Sequence, residues 1–389
     1  MDFNQALLEL EANSQIRTCR NIDTAQASRI RHNDRWFILF GSNNYLGLNG
    51  HPDITQASVQ ATETFGTGSG GSRLTTGTTP IHNDLETALA KFKGTESALL
   101  FNTGYMANLG VISSITDKSW TILSDKLNHA SIVDGALLTQ ARTLRYKTMD
   151  MDDLRKKLTK VETPHKLIIT DGIFSMDGEI APLGEISKLA KEFGCLLAVD
   201  DAHGFGVLGL NGRGTASELC VGHNVDIHIG TFSKAVPSVG GYVAGKKSVI
   251  DWIRNSARSF IFSTSLPASA VAASLKSIEL LPVADDRRTR LRNNIIRFKT
   301  GLKEMNIPVH DDMTPIIPII IGTSEDALRI SDYLCEEGYY VPAIRPPTVA
   351  HGTSRLRVSL MATHTPAEID GLLKTIRQGL DMLGGSYEG

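Results

Sequence analysis

The chain has 389 residues, more than one simple hydrophobic core holds, so two domains are expected. Apolar residues make up 41% and charged residues 21%, the balance of an ordinary soluble globular protein. With 40 basic and 42 acidic residues the formal charge is −2, which gives no basis for a nucleic-acid or membrane-surface partner.

The first ten residues are acidic and amphipathic, without the basic and apolar regions of a signal peptide, and no apolar run reaches membrane-spanning length. Residues 1 to about 30 read as a helical arm. A short strand over 35–40 then leads into the loop Gly41-Ser42-Asn43-Asn44-Tyr45-Leu46-Gly47-Leu48. The cysteines, Cys19, Cys195, Cys220 and Cys335, stand far apart and form no CxxC. Neither a metal site nor a disulfide framework is expected, and reduced thiols fit the cytoplasm.

From residue 50 to about 280 helices and strands alternate, which implies a mostly parallel sheet covered on both faces. Residues 54–65 look helical. The following Gly66-Thr67-Gly68-Ser69-Gly70-Gly71 matches GxGxxG only formally, because a dinucleotide fingerprint follows a strand and opens a helix. Leu85, Leu89 and Phe92 share a helical face ended by Gly94, and Ala98-Leu99-Leu100-Phe101 is the next strand. Gly104-Tyr105-Met106 sits where that strand turns into a helix, a place where backbone N–H groups can hold a phosphate. A strand is expected over 167–174. Leu183, Ile186, Leu189 and Phe193 line a helix that Gly194 ends, and Leu196-Leu197-Ala198-Val199 is another strand.

That last strand ends in Val199-Asp200-Asp201-Ala202-His203-Gly204. About thirty residues on, a second apolar strand ends in Thr231-Phe232-Ser233-Lys234. A carboxylate, a histidine and a lysine at strand ends suit pyridoxal 5'-phosphate (PLP). The lysine condenses with the aldehyde, and the aspartate keeps the pyridine nitrogen protonated. His129, in Asp125-Lys126-Leu127-Asn128-His129-Ala130-Ser131, offers a flat imidazole that could stack on the pyridine ring.

Basic residues thicken at 285–297, where a solvated helix face is the simplest account. A boundary near 280–290 introduces a smaller α+β domain. The expected division is an N-terminal arm and small-domain segment over 1–49, a large cofactor-binding domain over 50–285 and a small C-terminal domain over 286–389. In the last, Arg355 and Arg357 alternate with apolar residues and so share one face of a strand. One of them could pair bidentately with a substrate carboxylate.

These motifs together resemble the α-oxoamine synthases, a family of fold-type-I PLP enzymes. The resemblance runs from about Asn43 to His364. It rests on the loop at 42–48, on Gly68-Ser69-Gly70-Gly71-Ser72-Arg73, and on the segments around His129, Asp200 and Lys234. Phe174-Ser175-Met176-Asp177-Gly178 and Phe262-Ser263-Thr264-Ser265 complete it. It implies a PLP-dependent transferase fold of type I, with a mostly parallel central sheet, and a homodimer with shared active sites. It also implies roles. Lys234 carries PLP, Asp200 pairs with the pyridinium, and His203 and Ser175 bond the phenolic oxygen. His129 stacks on the ring. Gly104, Tyr105 and Thr231 hold the phosphate together with Thr264 of the partner subunit, and Arg357 takes the amino-acid carboxylate.

Within the family, Ala343-Ile344-Arg345-Pro346-Pro347-Thr348-Val349 most resembles the biotin-pathway branch, which joins L-alanine to a pimeloyl thioester carried on CoA or a carrier protein. Sibling branches pair glycine or serine with other acyl-CoAs. Ser72 fits the alanine branch, since the branch that makes 5-aminolaevulinate carries threonine there and serine leaves room for a methyl group. Arg17, in the arm, and Arg345 are the candidates for the acyl donor. Asn44 departs from the aspartate frequent in its loop, and Ala350-His351 from a proline-containing pair.

Overall fold

The computed structural model describes residues 2–383. The chain divides into two compact units. The larger contains residues 50–175 and 180–285, and the smaller gathers the chain up to Asn49, Met176–Glu179 and the chain from Asp286 onward.

The larger unit is built on seven strands: β1 (Ser97–Phe101), β2 (Trp120–Asp125), β3 (Arg142–Tyr146), β4 (His165–Asp171), β5 (Leu196–Asp200), β6 (Ile227–Ser233) and β7 (Pro237–Gly245). Their order across the sheet is β1-β7-β6-β5-β4-β2-β3. All neighbours are parallel except at β7, which runs antiparallel to both β6 and β1. The central strands are buried on both faces, which is why they read as unbroken apolar runs.

The two-residue strand period sorts these side chains into two cores. Ile122, Leu167, Ile169, Ala198, Ile227 and Ile229 pack on one side against Val111 and Ile112 of helix Gly104–Ile115 and Ile250 and Ile253 of helix Lys247–Ser256. Leu123, Ile168, Leu197 and Val199 pack on the other side against Leu183, Ile186 and Leu189 of helix Leu183–Phe193. Burial of each large aliphatic side chain contributes about 1.5–3 kcal/mol. A change such as Ile168→Ala, at a fully buried central position, would cost about 2–5 kcal/mol.

Gly94 and Gly194 end their helices in the left-handed region, at φ 73° and 61°, and their N–H groups return to the last turn, as the sequence leads one to expect. The strand expected over 167–174 stops at Asp171, and Ile173 makes only an isolated bridge to Ile180. The glycine-rich run after residue 65 follows helix Pro52–Phe65 and leads into a bridge between Ser72 and Thr264. It is therefore not a strand-to-helix turn.

The smaller unit holds two three-stranded sheets. In one, Ser354–Ser359 lies between Ile316–Gly322 and Ala343–Ile344, all antiparallel. In the other, Arg35–Leu39 pairs with Arg29–His32 and, in parallel, with Tyr339–Tyr340. Ile30, Phe37, Leu39 and Met361 form a buried cluster that joins the two ends of the chain. The arm is helical only over Phe3–Ala12, shorter than the sequence suggested. Asn13 caps that helix and Ser14 turns left-handed at φ 55°, and residues 14–26 carry no apolar stripe of helical period. Among the described residues no helix is long and apolar enough to cross a membrane.

Candidate active site

The parallel strands β2, β4 and β5 end in Asp125, Asp171 and Asp200, and β6 ends in Ser233. Loops at the carboxyl ends of a parallel sheet are where open α/β folds bind ligands. A cavity of about 190 Å³ lies there, lined by Gly104, Tyr105, His129, Ser175, Asp200, His203, Thr231 and Lys234. These are the eight cofactor-facing candidates of the larger unit other than Thr264, drawn from five separate segments.

Asp200 is buried, and both its oxygens accept hydrogen bonds. Oδ1 takes the Ala202 N–H at 3.0 Å and Oδ2 takes Asn108 Nδ2 at 2.6 Å. His129 caps helix Ala130–Leu137. Its backbone N–H donates to Asp171 Oδ2 at 2.9 Å, and its Nδ1 lies 2.8 Å from Ser131 Oγ. Burial holds the His129 imidazole below the usual histidine pKa; Asp200 opposes that shift and Lys234 adds to it. Asp171 stands beside Asp200 in register on the next strand. Burial, reinforced by the Asp200 charge, pushes its carboxyl well above the ordinary range.

Helix Gly104–Ile115 begins at the cavity. Thr103 Oγ accepts the Met106 N–H at 3.1 Å, while the first-turn N–H groups of Gly104 and Tyr105 have no acceptor within the helix. Thr231 Oγ1 donates to Gly240 O at 2.7 Å and lies 2.8 Å from Ser233 Oγ. A Cβ on Gly104 would come within 3.1 Å of Thr231 Cβ, so glycine keeps the helix end and the Thr231 hydroxyl close together.

These residues fit PLP. A helix N-terminus with hydroxyls beside it suits a phosphate, and a buried carboxylate suits a pyridinium. The buried Asn108 Oδ1, with no hydrogen-bond partner, is an orphaned polar atom at the same cavity. Gly104, Tyr105 and Thr231 would hold the phosphate, Asp200 the ring nitrogen and Lys234 the aldehyde carbon. Among the described residues no cluster of His, Cys, Asp and Glu could hold a metal ion.

The other candidates lie elsewhere. Ser72 and Thr264 bridge each other in the larger unit and are not part of the cavity lining. Asn102 Nδ2 donates to Thr264 O at 2.5 Å, and Ser265 N donates to Gly71 O at 2.9 Å, so the two loops are stitched together. In the smaller unit, Arg17 and Arg345 line a cleft of about 520 Å³ with Thr348. Arg17 donates to Thr348 Oγ1 at 3.3 Å, and Arg345 donates to the Ser14 carbonyl. Burial, with the neighbouring Arg17 charge, lowers the Arg345 pKa from its ordinary value.

The paired arginines differ in their contacts. Arg355 donates to Asp177 Oδ1 at 2.6 Å, whereas Arg357 reaches Ser359 Oγ at 2.8 Å and Asn43 Oδ1 at 3.3 Å. Arg355 is thus engaged by a carboxylate of its own unit.

Asn108, Ser131 and Asp171 also line the cavity, although none of them is among the candidates named from the sequence. A signal existed for two of them. Asp171 ends an apolar strand just as Asp200 does, and Asn108 lies four residues after Gly104, on the same helix face.

The chain belongs to the aminotransferase class I and II family, whose model matches residues 36–376, and its cofactor is pyridoxal 5'-phosphate. It is 47% identical over 379 residues to an 8-amino-7-oxononanoate synthase of Geotalea daltonii, covering 96% of each chain. A solved structure of SPT, a serine palmitoyltransferase, with PLP as an internal aldimine superposes with a TM-score of 0.93 at 35% identity over 98% of each chain. A structure of 8-amino-7-oxononanoate synthase from Francisella tularensis superposes at 0.78 with 31% identity, over 89% of this chain and 98% of that one. The resemblance to the α-oxoamine synthases and the fold-type-I architecture both hold.

Proposed function

We propose that this chain is an 8-amino-7-oxononanoate synthase, a PLP-dependent acyltransferase of biotin biosynthesis. It condenses L-alanine with a pimeloyl thioester, on CoA or a carrier protein, and releases 8-amino-7-oxononanoate, CO2 and the free thiol. The observation that carries this reading is one cavity containing a lysine, a buried aspartate and two histidines at strand ends, in a chain nearly half identical to relatives of that name.

Bound PLP supplies an electron sink that stabilises negative charge on the amino-acid α-carbon. The protein's own groups do the rest. The Lys234 amine would hold the cofactor and, once the amino acid's own amine has displaced it, would be free to take the α-proton. Asp200 pairs with the pyridine nitrogen, and His203 and Ser175 hydrogen-bond the phenolic oxygen. His129 presents its ring face to the pyridine. The Gly104 and Tyr105 N–H groups and the Thr231 hydroxyl bind the phosphate, joined by Thr264 of the partner subunit. Arg357 binds the amino-acid carboxylate, Ser72 leaves space for the alanine methyl, and Arg17 and Arg345 receive the acyl donor. The protein acts on small molecules as a cytoplasmic homodimer with shared sites.

A second reading, a serine palmitoyltransferase-like sibling, is favoured by the TM-score of 0.93 to SPT. The alanine reading has the higher sequence identity, 47% against 35%. Incubation of the PLP-loaded protein with L-alanine and pimeloyl-CoA, read by mass spectrometry, tests it. The expected result is 8-amino-7-oxononanoate with stoichiometric thiol; no product with alanine, but product with serine and a long-chain acyl-CoA, would favour the sibling.

A further inference from the structure

Four side chains of the larger unit form a continuous hydrogen-bonded chain from Asp200 to the His129 ring. Asn108 and Ser131, its two middle members, are 1% and 0% exposed. Asn108 Nδ2 lies 2.6 Å from Asp200 Oδ2 and 2.8 Å from Ser131 Oγ, so its two hydrogens serve both acceptors. The reversed amide would set Oδ1 against a carboxylate oxygen, acceptor against acceptor, so Asp200 decides the amide orientation. Ser131 Oγ then accepts from Asn108 and keeps one proton to give. His129 Nδ1 lies 2.8 Å away, and the Ser131 backbone N–H points at the same nitrogen from 3.3 Å.

We infer that Asn108 and Ser131 are positioning residues that fix His129 in a single orientation as the Nε2–H tautomer. Two donors converge on Nδ1, so the proton of the neutral ring sits on Nε2. The direction of the chain originates at Asp200, whose oxygen accepts only. The group that pairs with the pyridine nitrogen therefore also dictates, through two buried side chains, which His129 nitrogen bears hydrogen. Burial favours the neutral ring that this arrangement requires. The unpartnered Asn108 Oδ1 agrees with an amide oriented by its donor end and not by its carbonyl. The inference rests on the reading of His129 as the ring that faces the cofactor, but not on the identity of the amino acid or acyl donor.

The test is imidazole 15N NMR of the PLP-loaded protein with labelled histidine, the His129 signals being those lost in His129→Asn. The expected wild-type spectrum has a protonated Nε2 and an unprotonated Nδ1. Ser131→Ala removes the hydroxyl donor and leaves the backbone donor. It should shift the tautomer ratio toward Nδ1–H by up to about ten-fold, the worth of one hydrogen bond. It should also slow α-proton exchange of the bound amino acid by a similar factor, with its KM changed less than about two-fold. A protonated Nδ1 in the wild type, or an unchanged ratio in Ser131→Ala, would overturn the inference. If Ser131→Ala fails to fold, the wild-type spectrum alone decides. The tautomer is read without acyl transfer, so a failure of the proposed reaction would leave this result standing or falling by itself.

Discussion

Lys93 Nζ lies 3.5 Å from Asp201 Oδ2, and both side chains are almost wholly buried, at 2% and 1% exposure. Asp201 follows Asp200 directly. Its Oδ1 accepts the Thr215 hydroxyl at 2.6 Å, and Lys93 also donates to Arg213 O at 2.6 Å. The pair thus ties helix Pro80–Lys93 to the turn that carries Asp200 and His203. Burial pushes the Asp201 pKa up and the Lys93 pKa down, and each charge opposes the shift of the other.

Removing one partner leaves the other charge buried alone, which costs about 3–5 kcal/mol. Lys93→Met should lose stability of that order in urea unfolding, and Lys93→Met with Asp201→Asn should lose less than Lys93→Met alone. Additive losses would show that the pair does not act as a unit.

On the proposed reading, Lys234 and Asp200, which line one cavity, carry the cofactor chemistry. Borohydride should fix the cofactor to the peptide containing Lys234, and Lys234→Ala should bind PLP without turnover. Asp200→Asn removes a charge-assisted interaction worth about 1.5–3 kcal/mol, so α-proton exchange of alanine should slow at least about ten-fold. Labelling at another lysine, or an unchanged exchange rate, would contradict these assignments.

The sequence made the strand-end groups of this site readable and left their connections hidden. Asp200, His203 and Lys234 sit in short local motifs, each at the end of an apolar run. The Asn108–Asp200 contact spans 92 residues and exists only because β5 and helix Gly104–Ile115 meet at the same end of the sheet. Strand β7 is not legible in the sequence because Gly240, Gly241 and Gly245 interrupt its apolar pattern. Those glycines are required, since a Cβ on Gly241 would meet Thr103 O at 2.3 Å. The arm is a shorter helix than expected, because its first residues carry a helical periodicity that the following ones lack.

The buried His364 makes stability depend on pH on the acid side. His364 is 4% exposed, accepts the Met361 N–H at Nδ1 and donates from Nε2 to Leu39 O at 2.9 Å. Burial pushes its pKa from 6.5 down to about 4. The unfolded chain therefore binds the extra proton first, and stability falls as the pH drops from about 6.5 toward 4. For this group the loss is on the order of 3 kcal/mol. In chemical unfolding between pH 6.5 and 4.5, His364→Gln should show a shallower decline than the wild type; equal slopes would contradict the assignment.

Ser72 tests the choice of amino acid. Its hydroxyl lies 3.3 Å from Thr75 Oγ1, beside the bridge to Thr264. Ser72→Thr adds one methyl group, and a methyl-sized difference changes specificity by roughly 10–200-fold. The ratio of kcat/KM for alanine over glycine should decrease by a factor of roughly 10–200. A ratio that stays the same or rises would remove Ser72 from the substrate pocket.

The proposed reaction is a condensation of alanine with a pimeloyl thioester. The most direct measurement crosses alanine, glycine and serine with pimeloyl-, acetyl-, succinyl- and palmitoyl-CoA and compares kcat/KM by thiol release. Alanine with pimeloyl-CoA should have the highest value of the twelve pairs. A higher value for glycine with acetyl-CoA, or for serine with palmitoyl-CoA, would contradict the proposed reaction.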